Sequence, residues 1–291
     1  MDMSGMNIID VKNSQGVVLK GCLFDVAHKD VCVLFIPGMA GNIIENKFIQ
    51  VFGEEFQKKE IGFVCGHNQG SFHIVDLPCD NQDGFVRRGV AFERFDDCIS
   101  DIDAYINFII KLGYERIVLI GHSLGANKVI YYLSQNKSNL IKCYVLLGAP
   151  DMAAEVNLID GKDKLIDEAK KNIKNGKPDR LLSKLIWDYY ILSSARFVDL
   201  IGNENSHNLP ITSGVGSFEQ LKSIQLPLLA VAGERDDCCS SDIEKYLSTL
   251  IEKSEFAGEH AIIKDAGHTY VGREKELFNV VYNFISYHLD K

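Results

Sequence analysis

Between residues 117 and 133 the chain passes from a short apolar run, Ile117-Val118-Leu119-Ile120, through Gly121-His122-Ser123-Leu124-Gly125-Ala126 into a helix-like stretch, Asn127–Leu133. A strand that becomes a helix within five residues brings backbone closer to backbone than side chains allow. Gly121 and Gly125 flank the turn for that reason, and the small Ala126 lets the helix pack close behind it. A strand, a tight turn and a helix in this order are the repeating unit of a mainly parallel sheet with helices on both faces.

The rest of the chain alternates in the same way. Val31–Ile36 (VCVLFI), Ile61–Cys65, Cys143–Leu147, Leu228–Ala232 and Ala261–Ile263 are short apolar runs, the pattern of strands buried on both faces. Helical spacing is read over 46–58, over Phe92–Leu112 (Phe95, Ile99, Ile102, Ile106 and Ile109), over 123–134, over 242–251 and over Glu274–Leu289. Asn7–Val11 and Val17–Phe24 flank Ser14-Gln15-Gly16 and read as a hairpin. Residues 66–91 read as irregular. From Asp151 to Ile224 the pattern changes to charged helix and then to an aromatic, loop-like stretch. The expectation is one core domain, residues 1–150 with 225–291, and a lid or cap insertion, 151–224, over the C-terminal edge of the sheet, where ligands bind in open α/β sheets.

Bulk properties remove several classes. The 291 residues carry a formal net charge of −9, which disfavours a nucleic-acid partner. No apolar run approaches ~18 residues, so no membrane span is expected. The N-terminal residues lack a basic stretch followed by an apolar core, so a secretory leader is not expected. Several of the eight cysteines fall in strand-like runs, where a thiol acts as a small hydrophobe, and a cytoplasmic location with free thiols is the expectation. No CxxC is matched by a second CxxC or a histidine pair, so no zinc site is expected.

The chemistry centres on Ser123. The pattern Gly-x-Ser-x-Gly after a strand and before a helix presents a hydroxyl at a strained turn, with the helix N-terminus favouring negative charge beside it. A serine hydroxyl is a weak nucleophile until a base takes its proton. Downstream lie His207, His260, His268 and His288. Only His268, in Asp265-Ala266-Gly267-His268-Thr269, directly follows a strand. After the strand Leu228–Ala232 come Gly233-Glu234-Arg235-Asp236-Asp237, so Asp236 is the expected acid and Asp237 the alternative; the acid orients the imidazole and stabilises its cation. Oxyanion donors are expected at the backbone N–H of Leu124 and, in the loop Pro37–Asn42, of Met39.

These pieces, in this order, resemble the α/β-hydrolase superfamily. The residues that carry the likeness are Gly38-Met39, Gly121–Gly125, Asp236 and Gly267-His268, and the likeness spans about residues 17–290. One departure is Pro37-Gly38 where many members have His-Gly; the donor there is a backbone group. The Gly-His-Ser-Leu-Gly turn is most similar to those of carboxylesterases and acyl-ester hydrolases, with a further likeness to siderophore-type esterases. The resemblance implies the α/β-hydrolase fold with a helical lid and a serine esterase acting on a small-molecule acyl ester, with no cofactor and no metal. A thioesterase or lactonase would use the same triad, and a non-catalytic ligand-binding member of the fold is the alternative from another class.

Two features remain open between roles. Trp187, Tyr189, Tyr190 and Phe197 form either an aromatic wall for substrate, with Trp187 and Tyr190 as its binding residues, or the packing core of the insertion. Arg87 and Arg88 either meet a substrate carboxylate or are solvated surface charges. Glu45, Lys47, His67 and His73 are read as structural or surface residues.

Overall fold

The structure, a computed structural model, describes residues 5–81, 84–239 and 242–289. The first four and last two residues of the expected core domain lie outside the described residues, as does the start of the N-terminal segment in which no leader was expected. Strands β1 (Met6–Lys12), β2 (Val18–Phe24), β3 (Val31–Ile36), β4 (Gly62–Gly66), β7 (Arg116–His122), β8 (Ile141–Leu147), β9 (Leu228–Gly233) and β10 (Gly258–Ile263) form one sheet in the order β1-β2-β4-β3-β7-β8-β9-β10. β1 and β2 pair antiparallel as the expected hairpin, and β2 runs antiparallel to β4. From β4 through β10 every neighbour is parallel.

Alternate residues of the central strands enter two different cores, which is why their sequences are apolar without a period of two. Cys32, Leu34, Ile117, Leu119, Tyr144, Leu146 and Ala230 face helices α2 (Cys98–Lys111), α3 (Leu124–Gln135) and α8 (Ile243–Ser254). Val33, Phe35, Val118, Ile120, Val145, Leu147 and Val231 face α1 (Lys47–Lys58) and α9 (Glu274–Leu289), where Phe48, Phe52, Phe56 and Phe278 pack ring against ring. The sheet therefore has its C-terminal edge as the free face for chemistry.

Four readings need revision. The 66–91 stretch contains a two-stranded antiparallel hairpin, β5 (Val75–Cys79) with β6 (Gly84–Arg88); Pro78 and its mostly part-exposed side chains hide the alternation. The expected helix from Phe92 begins as a 3₁₀ turn at Phe95–Asp97 and becomes α2 only at Cys98, because Gly89–Glu93 is folded into a turn by Phe92 and Glu93 amides donating to Gly89 O, both at 2.9 Å. The strand expected from Ala261 starts at Gly258, so His260 lies within it rather than before it. The aromatic, loop-like stretch includes a helix, α6 (Ser194–Gly202), capped by the Ser193 hydroxyl.

Between β8 and β9 lie α4 (Met152–Glu155), α5 (Lys162–Lys174), α6 and α7 (Glu219–Lys222). Met152, Val156, Leu165, Leu182, Ile186, Leu192, Phe197 and Leu200 build a third core that closes onto Leu124 and Tyr131 of α3 and onto Val90 and Phe95. Beneath it lies a buried ion network. Lys128 of α3 donates to Glu93, Arg196 of α6 lies 3.6 Å from the other Glu93 oxygen, and Arg196 Nη1 donates to Asp199 at 2.9 Å. Lys128, Glu93 and Arg196 are all fully buried, so each charge depends on the others for compensation. Lys128→Met should therefore destabilise the fold by about 3 kcal/mol by leaving Glu93 with only the more distant Arg196 as counter-charge, and Lys128→Met with Glu93→Gln should recover most of that loss. Urea unfolding of the two variants checks it; a double variant no more stable than the single one would remove the network from the account.

Candidate active site

Ser123 sits at the junction of β7 and α3 with φ 55° and ψ −133°, a backbone conformation costly for a residue with a side chain. The turn is held by Ser123 N–H donating to Leu147 O of β8 and Ala126 N–H donating to Ser123 O, both at 2.8 Å. The two flanking glycines are needed on steric grounds. A Cβ at Gly125 would lie 2.2 Å from Ile36 O, and one at Gly121 would lie 2.4 Å from Gly125 O. The hydroxyl is not spent as a helix cap.

The loop after β3 lies directly over this hydroxyl. A Cβ at Gly38 would stand 3.1 Å from Ser123 Oγ. The loop is fixed by Asn68 Nδ2 donating to Pro37 O at 2.9 Å and by Ala40 N–H donating to Gly70 O at 3.0 Å. Ala40 and Gly41 spend their amides within these loops, while no acceptor is described for the amide of Met39 or of its neighbour Gly38. Leu124 is the first residue of α3, so its amide has no acceptor within the helix.

His268 follows β10 and Asp236 follows β9. Arg235 N–H donates to Ala266 O at 2.8 Å, binding the two loops together. His268 Nδ1–H donates to Asp236 Oδ1 at 2.9 Å, and Cys238 N–H donates to the same oxygen at 3.0 Å. Asp236 is buried while Asp237 is exposed, so the geometry separates the two aspartates that the sequence left open. Burial lowers the basicity of His268, but the Asp236 hydrogen bond, the Cys238 thiol beside the ring and the Asp236 charge outweigh it, and the net effect is upward. That makes the imidazole a stronger proton acceptor once neutral.

Two contacts bring this pair to the serine. Gly148 follows Leu147, the residue that accepts the Ser123 amide; a Cβ on it would lie 2.8 Å from Asp236 Oδ2 and 3.0 Å from His268 Nδ1. His122, the residue before Ser123, holds its ring tilted against that of His268, with centroids 4.7 Å apart. Burial pushes His122 down to about 3, so its ring is neutral and Nε2–H donates to His268 O at 2.8 Å. The sequence reading passed over His122; its place inside the turn motif was the available signal.

Other candidates fall elsewhere. Of the remaining downstream histidines, His260 pairs with Glu244 and His207 with Leu200 O, each at 2.8 Å. Arg87 is engaged by Asp76 and Arg88 by Gln69. His67 accepts from Ile43 N–H and burial lowers it to about 4. Glu45 accepts from Asn42, and His73 packs against Tyr189 and Tyr190. Phe197 is fully buried in the third core. Trp187 and Tyr190 are only half-buried at its margin, with Trp187 Nε1–H donating to Glu155 O at 3.1 Å.

Residues 89–288 match a family described as "Protein of unknown function (DUF1749)". A search of curated proteins found no match. Among solved structures, the chain is similar to the siderophore hydrolase EstB from Aspergillus fumigatus, with TM-score 0.70, 15% identity and complete coverage of both chains. It is also similar to Est1E from Butyrivibrio proteoclasticus, with TM-score 0.63, 14% identity and coverage of 98% of this chain and 99% of that one. For the α/β hydrolase GrgF from Penicillium sp. sh18 the values are 0.69, 13%, 98% and 99%. At these identities the likeness establishes the fold: an α/β-hydrolase sheet with flanking helices. No helix among the described residues is long and apolar enough to cross a membrane.

Proposed function

The chain belongs to the DUF1749 family, and from the site it carries we propose a serine hydrolase that cleaves a carboxylic ester of a small molecule through an acyl-enzyme. The observation that carries this reading is the His268–Asp236 hydrogen bond next to the strained Ser123 turn, beneath the loop that carries Gly38. Ser123 Oγ attacks the ester carbonyl while His268 takes its proton, and the amides of Leu124 and Met39 hold the oxyanion. His268 then donates that proton to the leaving alcohol. Water, activated by the same imidazole, releases the acid. Asp236 stabilises the imidazolium at both stages. The 151–224 segment serves as the lid, with Trp187 and Tyr190 at its inner margin contacting the acyl or alcohol group. EstB, a siderophore hydrolase by name, and Est1E, which has been seen with ferulic acid bound, support hydrolytic chemistry on this fold.

Turnover of 4-nitrophenyl butyrate, together with labelling of Ser123 by a fluorophosphonate, tests the proposal. Equal rates for wild type and Ser123→Ala, with no label on residue 123, would favour a ligand-binding protein instead.

His122 has a defined part in this mechanism as a positioning residue, since it holds the His268 loop through a single hydrogen bond. Loss of one such bond is worth about 1 kcal/mol, so His122→Phe should lower kcat roughly 5-fold with KM little changed. His122→Gln, which keeps a donor in reach of His268 O, should restore most of the rate. A change confined to KM, or no recovery in the glutamine variant, would deny His122 this role.

A further inference from the structure

The triad's acid and base have a third neighbour that the hydrolytic mechanism does not use. One ligand-capable atom each from Asp236, Cys238 and His268 lies within 4.8 Å of the other two. We propose that these three side chains form a binding site for a thiophilic divalent cation, Zn²⁺ in the first instance, and that its occupation reversibly silences the hydrolase. The silencing rests on the function proposed above; the binding site does not.

The donor set suits zinc. A thiolate, an imidazole nitrogen and a carboxylate oxygen are three ligand types that zinc takes in tetrahedral sites, with a fourth position open to water. From bond lengths of about 2.0–2.3 Å, neighbouring ligands in such a site stand roughly 3.3–3.8 Å apart. The longest of the separations here, at most 4.8 Å, therefore has to close by only about an ångström. A ligand search by local spacing misses this site, because its members come from positions 236 and 238 on one loop and 268 on another.

The site is also preorganised. The two loops are joined by the Arg235 N–H to Ala266 O hydrogen bond, and Asp236 is further held by the Cys238 amide. Asp236 Oδ2 is buried and accepts no hydrogen bond among the described residues. A buried carboxylate oxygen without a donor is an unmet electrostatic demand that a cation satisfies. Gly148 keeps the adjoining space clear of any side chain. Cys238, by contrast, is part-exposed, which gives the cation a way in.

Binding displaces the thiol proton of Cys238 to solvent and takes up a lone pair of His268, directly at Nε2, or at Nδ1 once the proton there has moved to Nε2. Occupation of Nδ1 breaks the Asp236 hydrogen bond, and occupation of Nε2 removes the lone pair that would accept the serine proton. Either way the base is lost, and chelation returns it.

The test uses the intact protein in thiol-free buffer. Titration with Co²⁺ should give a thiolate-to-metal charge-transfer absorption that saturates at one ion per chain and is displaced by Zn²⁺. Under the same conditions Zn²⁺ should suppress 4-nitrophenyl butyrate turnover, with full recovery in EDTA. Cys238→Ser and Cys238→Ala, each normalised to its own metal-free rate, should lose the charge-transfer band and need at least about 10-fold more Zn²⁺ for half-inhibition. His268→Ala, read by Co²⁺ absorption alone, should weaken binding similarly. Absence of the band in the wild type, or band and inhibition unchanged in the Cys238 variants, would overturn the site. If the wild type turns over no ester, the proposed function fails, and the Co²⁺ absorption alone still decides whether the site exists.

Discussion

Replacement of Ser123 by alanine is expected to lower kcat for ester hydrolysis by roughly 10⁶-fold, the scale seen when a triad nucleophile is deleted, and to abolish fluorophosphonate labelling without unfolding the protein. A more discriminating expectation concerns Ser123→Gly. The backbone at 123 is held at φ 55° and ψ −133° by hydrogen bonds to β8 and within the turn. That region is open to glycine and costs other residues about 1–3 kcal/mol. Glycine relieves the strain but gives back roughly 0.5–1 kcal/mol through the greater freedom of the unfolded chain. The net expectation is an inactive Ser123→Gly variant about 1 kcal/mol more stable than both wild type and Ser123→Ala. Stability exchanged for reactivity at one residue is the signature of a strained nucleophile. Denaturant unfolding of the three proteins measures it. A glycine variant less stable than the alanine variant would show that the turn stores no strain.

The elbow was legible because its constraint is local. Backbone atoms of Ile36 and Gly125 come so close to residues 125 and 121 that only glycine fits, and such demands appear in the sequence as fixed residues at fixed offsets. The central strands were legible for a related reason: burial on both faces removes polar residues from the whole run. Non-local features were not. The β5–β6 hairpin depends on pairing between part-exposed residues separated by a turn. Glu93, Lys128 and Arg196 look like surface charges until the folded chain buries them together. His122 gains its partner from a loop 146 residues away. Cys238 looked like one of two adjacent thiols with no matching pair. The choice between Asp236 and Asp237 falls between these cases: the loop was identifiable, but the residue that turns inward is set by Asp236 N–H donating to Gly233 O at 3.1 Å, a detail of one turn.

That detail carries the second large effect. Asp236→Asn is expected to reduce kcat by roughly 10⁴-fold, the scale of the same change in a serine-protease triad, while Asp237→Asn, on an exposed side chain, should change it by less than about 3-fold. The asymmetry follows from where the charge sits. Asp236 accepts from His268 Nδ1–H and the Cys238 amide, and its side chain is shut off from solvent. An amide in its place keeps the size and one acceptor oxygen. It removes the negative charge that stabilises the imidazolium formed as Ser123 gives up its proton. In a buried site no solvent makes good that loss. Asp237 feels bulk water, where screening leaves little of its charge at the ring. Because KM reflects contacts with substrate that neither aspartate makes, the loss in Asp236→Asn should fall on kcat. The comparison is read from kcat and KM of both variants, with unfolding curves to confirm that each is folded. Deeper loss in Asp237→Asn would transfer the acid's role to that residue, and equal, small losses in both would mean that the His268–Asp236 contact orients the ring without supporting the chemistry.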